Sequence, residues 1–191
     1  MDINSFFVLK INKIKEFQET VNYNGCKEII KLEYKTTIYK NIQKYQYISI
    51  LHDKLEIKDY YEVNLMRVSD NRIIAFANSE ILIKKIQNDF KRIMDSDVDI
   101  ENINLQSIIE KNTNISVNKY LVKEKDIYFI DSKIVKNFNE IKEKIIGLQA
   151  LLKIKNKTTT LIILNKCKIK FSYSLYEEDV IDLCKEMKII V

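Results

Sequence analysis

The sequence has 191 residues, a length for one domain of moderate size or two small ones, and its formal net charge is +5. It is 46% hydrophobic, yet it contains two glycines, one histidine, no proline and no tryptophan. This inventory excludes glycine-rich phosphate loops and sites that need several histidines, while the modest positive charge permits nucleic-acid binding without requiring it.

The first part of the chain shows weak periodicity. Residues 6–14 predict an opening strand and residues 47–51 predict a second, short strand. Between them, residues 15–21 and 26–32 predict one or two helices. We therefore expect residues 1–58 to form an N-terminal segment of mixed α/β structure.

The remainder, residues 59–191, predicts three consecutive strand–strand–helix units that form one core. Each unit begins with two strands joined by a turn of polar residues. The predicted strand pairs are Tyr61–Val68 with Arg72–Ala77, Lys119–Val122 with Ile127–Ile130, and Thr160–Leu164 with Cys167–Tyr173. The two segments of the chain are expected to pack as one compact unit.

Helical patterns follow each pair of strands. Ser79 is a predicted N-cap for the first helix, and Ser174 with Glu177 has capping-box spacing at the start of the last. The middle helix is predicted from apolar residues at helical spacing, namely Phe138, Ile141, Ile145, Leu148 and Leu152. A short helix is predicted at Leu105–Lys111. The predicted fold class is α+β, an antiparallel sheet with helices packed on one face.

The cysteines and the apolar segments indicate the compartment. Cys26, Cys167 and Cys184 are widely spaced and form no C-x-x-C pair, which favours a reduced environment. The N-terminus lacks a basic region followed by a long apolar run, and the longest apolar stretch is about four residues. We predict a cytoplasmic protein.

A lysine-rich stretch near the C-terminus is the strongest candidate binding feature. Residues 153–170 contain no acidic residue and six lysines: Lys153, Lys155, Lys157, Lys166, Lys168 and Lys170. The last three alternate with apolar residues, so a strand here places them on one face, where ammonium groups can neutralise successive phosphates. Lysines that protect an edge strand from aggregation give the same pattern.

Further basic residues are candidates for binding nucleic acid together with these lysines. Arg67, Arg72, Lys91 and Arg92 predict a second basic patch that contacts phosphates. Residues 34–47 interleave tyrosine and lysine, as proteins that bind single strands do for base stacking. Tyrosines on the outer faces of helices give that pattern as well.

Two acid-x-lysine sequences suggest a different chemistry. Glu33-Tyr34-Lys35 and Asp131-Ser132-Lys133 have the spacing of a metal-dependent nuclease site, for which Asp59 or Asp126 would supply a further carboxylate. In a chain this rich in lysine the spacing also arises by chance. No metal ligand and no catalytic residue is assigned from it.

Three stretches carry a family resemblance. Val63-Asn64-Leu65-Met66-Arg67 is followed by Arg72-Ile73-Ile74-Ala75-Phe76, and later by a hairpin over residues 120–130 that leads to Lys136-Asn137-Phe138. Together they resemble a domain of KwaB, the cytosolic subunit of the Kiwa anti-phage defence system. The hairpin turns through Lys125-Asp126, where that family usually has glycine. The resemblance implies DNA binding beside a membrane partner in phage defence, and it brings no catalytic residues.

Our leading hypothesis is a non-catalytic nucleic-acid-binding protein of phage defence, with DNA as the expected ligand, no cofactor and a homo-oligomeric state. A second hypothesis is a protein-interaction module or inhibitor, such as a phage-encoded anti-defence protein, that occupies a partner's surface through tyrosines and sheet edges. A metal-dependent nuclease is the third.

Overall fold

The computed structural model describes residues 3–23, 25–39, 42–111, 114–154, 157–166 and 168–187. Within these ranges the chain forms twelve β-strands and three α-helices. It divides into two compact units, one of residues 7–100 and one of residues 1–6 with 101–191. The predicted division between residues 58 and 59 falls inside the fifth strand, Glu56–Ser69.

The first unit is an antiparallel sheet with one long helix. Its elements are β1 (Ile3–Ile11), β2 (Phe17–Tyr23), β3 (Cys26–Tyr39), β4 (Ile42–Asp53), β5 (Glu56–Ser69), β6 (Arg72–Ala75), α1 (Glu80–Met94) and β7 (Val98–Ile100). The strand order is β2-β3-β4-β5-β6-β1, and β7 pairs with β1. Ile83, Ile86 and Phe90 of α1 are fully buried in one core with Ile30 and Leu32 of β3.

The second unit is also built mainly of antiparallel strands. Its elements are α2 (Leu105–Lys111), β8 (Ile115–Lys123), β9 (Ile127–Asp131), β10 (Ile145–Ile154), β11 (Lys157–Leu164), β12 (Lys168–Leu175) and α3 (Glu177–Glu186). The strand order is β12-β11-β10-β8-β9. Residues 3–6 of β1 belong to this unit, and three 3₁₀ turns lie between β9 and β10.

The predicted α+β class with helices packed on one face is wrong, because the chain is mostly antiparallel sheet. The helices predicted at residues 15–21 and 26–32 are instead β2 and β3, which pair from Phe17↔Leu32 to Tyr23↔Cys26. In β3, buried Ile30 and Leu32 alternate with half-buried Lys31 and Glu33, and this period of two is the signature of a strand.

The predicted helix through Phe138 and Leu152 is also absent. Phe138 begins a 3₁₀ turn, and Leu148 and Leu152 lie in β10. Residues four apart share a face in a helix and in a strand, so this spacing satisfies both periods. Ala150, buried between the two leucines, shows that the actual period is two.

The capped helices are largely as predicted. Ser79 caps α1, and its side chain accepts a hydrogen bond from the Ile81 N–H at 3.2 Å. The N-cap of α3 is Tyr176, two residues after the predicted cap Ser174. The Asp179 carboxylate accepts a hydrogen bond from the Tyr176 N–H at 3.4 Å. None of the helices in the described ranges is long and apolar enough to cross a membrane.

Candidate nucleic-acid interface

The sheet of the second unit has one face that is open to solvent. In β10, Leu148, Ala150 and Leu152 are buried, whereas Leu151 is 38% exposed and Lys153 is exposed. The pleat of the strand places these two sets on opposite faces. We call the face of β8–β12 that carries Leu151 and Lys153 the open face.

One row across this face contains two lysines and begins at Asp131 of β9, which is opposite Lys119 of β8. Lys119 of β8 is opposite Gln149 of β10, Gln149 is opposite Ile162 of β11, and Ile162 is opposite Lys170 of β12. Residues opposite one another in adjacent strands share a face, and neighbouring strands are about 4.8 Å apart. The Cα atoms of Lys119 and Lys170 are therefore about 14 Å apart on the open face.

The same face carries further positive charge and little negative charge. Lys123, Lys153 and Lys168 are on it by strand alternation. Asp131 is the one carboxylate that the described parts of β8–β12 place on this face. The Asp131 carboxylate accepts a hydrogen bond from the Lys133 N–H at 2.9 Å and so caps the 3₁₀ turn that follows β9. The open face is consequently a surface of positive potential.

The predicted lysine stretch is placed only in part on the open face. Lys153, Lys168 and Lys170 are on it, and Lys166 is exposed in the turn that precedes β12. Lys155 and the side chain of Lys157 lie outside the described residues. Lys168 is half-buried and has a polar interaction of its own, which makes Lys153 and Lys170 the better candidates for contact with a ligand.

The other predicted basic residues belong to the first unit and are already engaged. Arg67 donates to the Ser69 carbonyl at 3.3 Å and to Asp70 at 3.4 Å. Arg72 also has an interaction partner. Lys91 forms an ion pair with Asp97, and Arg92 forms one with Asp89.

Lys91 donates a hydrogen bond to Asp97 at 2.6 Å, and this bond raises the pKa of the Lys91 ammonium. Both side chains are more than half exposed. A phosphate would therefore compete with a carboxylate at this position.

Arg92, whose side chain is 41% exposed, takes part in a polar network around the buried carboxylate of Asp89, between α1 and the sheet of the first unit. Asp89, which is 5% exposed, accepts hydrogen bonds from the Tyr47 hydroxyl at 2.5 Å and from Arg92 at 3.2 Å, and Lys85 lies 3.5 Å from it. Burial and the neighbouring Asp89 carboxylate raise the pKa of Tyr47 far above its usual range, so Tyr47 stays a donor.

Glu28 completes this network on β3. It pairs with Lys85 and accepts a hydrogen bond from Ser49 at 3.1 Å. Burial alone would raise the pKa of Glu28, but the hydrogen bonds and charges of Lys85, Ser49 and Arg92 together outweigh burial and lower it. Every charge of the network meets an opposite charge within the protein, which is the arrangement expected of a structural cluster.

The structure does not assemble the carboxylates of the nuclease hypothesis. Glu33 is paired with Lys31 at 3.1 Å and with Lys35 at 2.7 Å. Asp126 directly precedes the five-residue strand β9 and Asp131 is its last residue, about 16 Å away. Across the described ranges, no three His, Cys, Asp or Glu side chains are grouped so that they could hold a metal ion.

The tyrosine–lysine region is not an exposed stacking surface. Tyr45 and Tyr47 are buried in the core of the first unit. Tyr34 is 38% exposed and packs edge-on against Tyr45, with ring centroids 5.8 Å apart. The region is a pair of strands, and the strand period of two directs Tyr45 and Tyr47 into the core and Tyr34 against Tyr45 on the same face.

Two lysines of the open face, Lys119 and Lys123, were not among the predicted site residues. The alternation Lys119, Leu121, Lys123 against Tyr120 and Val122 was visible in the predicted strand. Lys119 and Lys123 were not recognised as site residues because they are far in sequence from Lys153 and Lys170. Only the strand order brings all four lysines to one face.

Comparisons of this chain with protein families, with curated proteins and with solved structures find no match.

Proposed function

We propose that the protein is a non-catalytic nucleic-acid-binding protein whose contact surface is the open face of the second unit, with DNA as the expected ligand. The observation that carries this proposal is the placement of Lys119, Lys153 and Lys170 on one solvent-facing surface. None of the three has an ion-pair partner among the described residues.

Binding by such a surface depends on phosphates and not on base sequence. Each lysine that neutralises a phosphate releases a condensed counterion, so the affinity falls steeply as salt rises. Contacts to phosphate position the ligand and carry no sequence information. We assign no contact to Arg67, Lys91 or Arg92, because each already pairs with an acidic side chain of the first unit.

Salt-dependent binding of a labelled oligonucleotide tests the proposal. We expect the variant Lys119→Ala/Lys153→Ala/Lys170→Ala to bind at least tenfold more weakly at about 50 mM salt, and its log–log salt slope to be smaller by about 2 to 3. The matched control is Lys84→Ala/Lys142→Ala/Lys185→Ala, which removes the same charge from three exposed sites elsewhere. We expect the control to retain most of the affinity.

Two results would contradict the proposal. Absence of binding by the unaltered protein at low salt removes the function altogether. An equal loss of affinity in both triple variants shows that net charge alone, and not the open face, attracts the nucleic acid.

The place of this binding in phage defence rests on the sequence resemblance to KwaB. On that basis we propose that the protein acts with a membrane-associated partner. We further propose, from the cysteine pattern, that it is cytoplasmic, and that it forms a homo-oligomer. Plaque formation on bacteria that express the chain tests the role: protection by the unaltered chain and its loss in the open-face triple variant would support it. Equal protection by both would separate defence from nucleic-acid binding.

A protein-interaction module or inhibitor is the second candidate function, and one observation favours it. At the tip of the β4–β5 hairpin, Leu55 is 99% exposed and Ile57 is 60% exposed. Two exposed aliphatic side chains on a protruding hairpin suit the apolar centre of a protein interface. The variant Leu55→Ser/Ile57→Ser discriminates between the two candidate functions. Loss of protection against phage with unchanged nucleic-acid binding would favour the interaction module.

A further inference from the structure

The open face carries an exposed aromatic ring next to its lysines. Phe129 of β9 is 45% exposed and is opposite Leu121 of β8. Leu121 is in turn opposite Gly147 of β10, and Gly147 is opposite Leu164 of β11. These residues form a second row across the face, which we call the apolar row.

Gly147 makes the apolar row continuous. A Cβ atom at this position would lie 2.9 Å from the Leu164 Cδ2 and 3.3 Å from the Leu121 Cδ2. The two leucine side chains therefore approach each other above the glycine. The apolar row is therefore a shallow, continuous apolar surface that extends to the ring of Phe129.

The apolar row runs beside the lysine row. Leu121 is two residues from Lys119 along β8, and Gly147 is two residues from Gln149 along β10. Two residues of an antiparallel strand span about 7 Å. The two rows thus cross the sheet side by side, with Lys119 and Lys170 in the lysine row and Asp131 two residues from Phe129 along β9.

This pairing of rows fits a single strand better than a duplex. A duplex keeps its bases stacked inside and presents phosphates to a flat sheet, so the apolar row would contact nothing suited to it. A single strand offers phosphates on one side and unstacked bases on the other, and bases stack on exposed aromatic rings irrespective of sequence. We infer that the open face binds single-stranded nucleic acid, with phosphates along the lysine row and a base stacked on Phe129. This inference rests on the proposed function.

The absence of tryptophan from the sequence provides a direct test. The variant Phe129→Trp contains a single tryptophan on the open face. We expect oligothymidylate and oligouridylate to quench its fluorescence, because a stacked base contacts the indole. The matched control is Tyr128→Trp, whose side chain is adjacent in sequence, 40% exposed and on the opposite face of β9. We expect at most a small change in the control.

A second measurement tests affinity. We expect Phe129→Ala to weaken binding of oligothymidylate about tenfold with an unchanged salt slope, since one stacking contact is lost and no phosphate contact is. Binding of a duplex with the same number of phosphates should change less than twofold.

The outcomes separate this inference from the proposed function. Salt-dependent binding without quenching of Phe129→Trp, or with equal quenching of both tryptophan variants, overturns the single-strand inference alone. An equal loss of single-strand and duplex affinity in Phe129→Ala also overturns it. If the unaltered protein binds no nucleic acid at low salt, both proposals fail.

Discussion

Two groups of basic side chains, one in each unit, lie in opposite surroundings. In the first unit, Lys85 and Arg92 contact Asp89 beneath α1, where Asp89 is 5% exposed. In the second unit, Lys119 and Lys170 lie on a sheet face that is open to water. The comparison shows that lysine and arginine counts do not locate a binding surface, because basic side chains beside a buried carboxylate pair within the protein.

The physical reason is the cost of desolvation. α1 buries Ile83, Ile86 and Phe90 against its sheet, so a charge at that interface loses water and must gain a partner. A lysine on an uncovered sheet keeps its hydration and needs none. We therefore expect substitutions in the first unit's network to affect stability, and substitutions on the open face to affect binding.

The largest effect on stability is expected from Asp89→Ala. It removes the acceptor of the Tyr47 hydroxyl and the carboxylate that faces Lys85 and Arg92, and we expect a loss of about 3 kcal/mol in the free energy of unfolding. Urea denaturation measures it. Asp97→Ala is the matched control, since Asp97 is 62% exposed, and should change stability little. Similar losses in the two variants would contradict a structural role for the buried network.

Glu28→Gln tests the same network through its pH dependence. The pKa of Glu28 is lower in the folded protein than the ordinary 4.5, so the ionised side chain stabilises the fold above that value. This contribution is lost as the pH falls through the lowered value. We expect the variant to be less stable by about 1 kcal/mol at neutral pH and the difference to shrink below about pH 4.5.

Denaturation at a series of pH values measures this difference. A constant difference between the unaltered protein and Glu28→Gln from pH 7 down to pH 4 would show that ionisation of Glu28 does not stabilise the fold.

Local patterns identified several elements but could not identify the fold class. The N-cap at Ser79 and the helix Leu105–Lys111 were predictable because capping and short-range periodicity act within one turn. β2 and β3 were mistaken for helices, since their strand character depends on pairing with each other and with β4.

The candidate site was predictable to the extent that alternation along one strand fixes one face. Lys168 and Lys170 were assigned to a common face correctly from their spacing. Lys119 is about fifty residues away in sequence, and its position in the same row as Lys170 depends on three strand pairings. The ion pair between Lys91 and Asp97 likewise depends on the conformation of the turn after α1, which cannot be predicted from periodicity in the sequence.

The smallest expected effect is that of the open-face lysines on stability. Lys119 and Lys170 are about 14 Å apart, more than the Debye length of about 10 Å at 0.1 M salt, so their mutual repulsion is screened. We therefore expect Lys119→Ala/Lys153→Ala/Lys170→Ala to unfold within about 0.5 kcal/mol of the unaltered protein at that salt.

At about 0.01 M salt the Debye length rises to about 30 Å, and the same lysines repel one another and the rest of the positive charge. The triple variant should then become slightly more stable than the unaltered protein, and thermal unfolding at the two ionic strengths detects this gain in stability at low salt. A marked destabilisation at both would mean that these lysines support the sheet. The two units would then no longer differ in how they use charge.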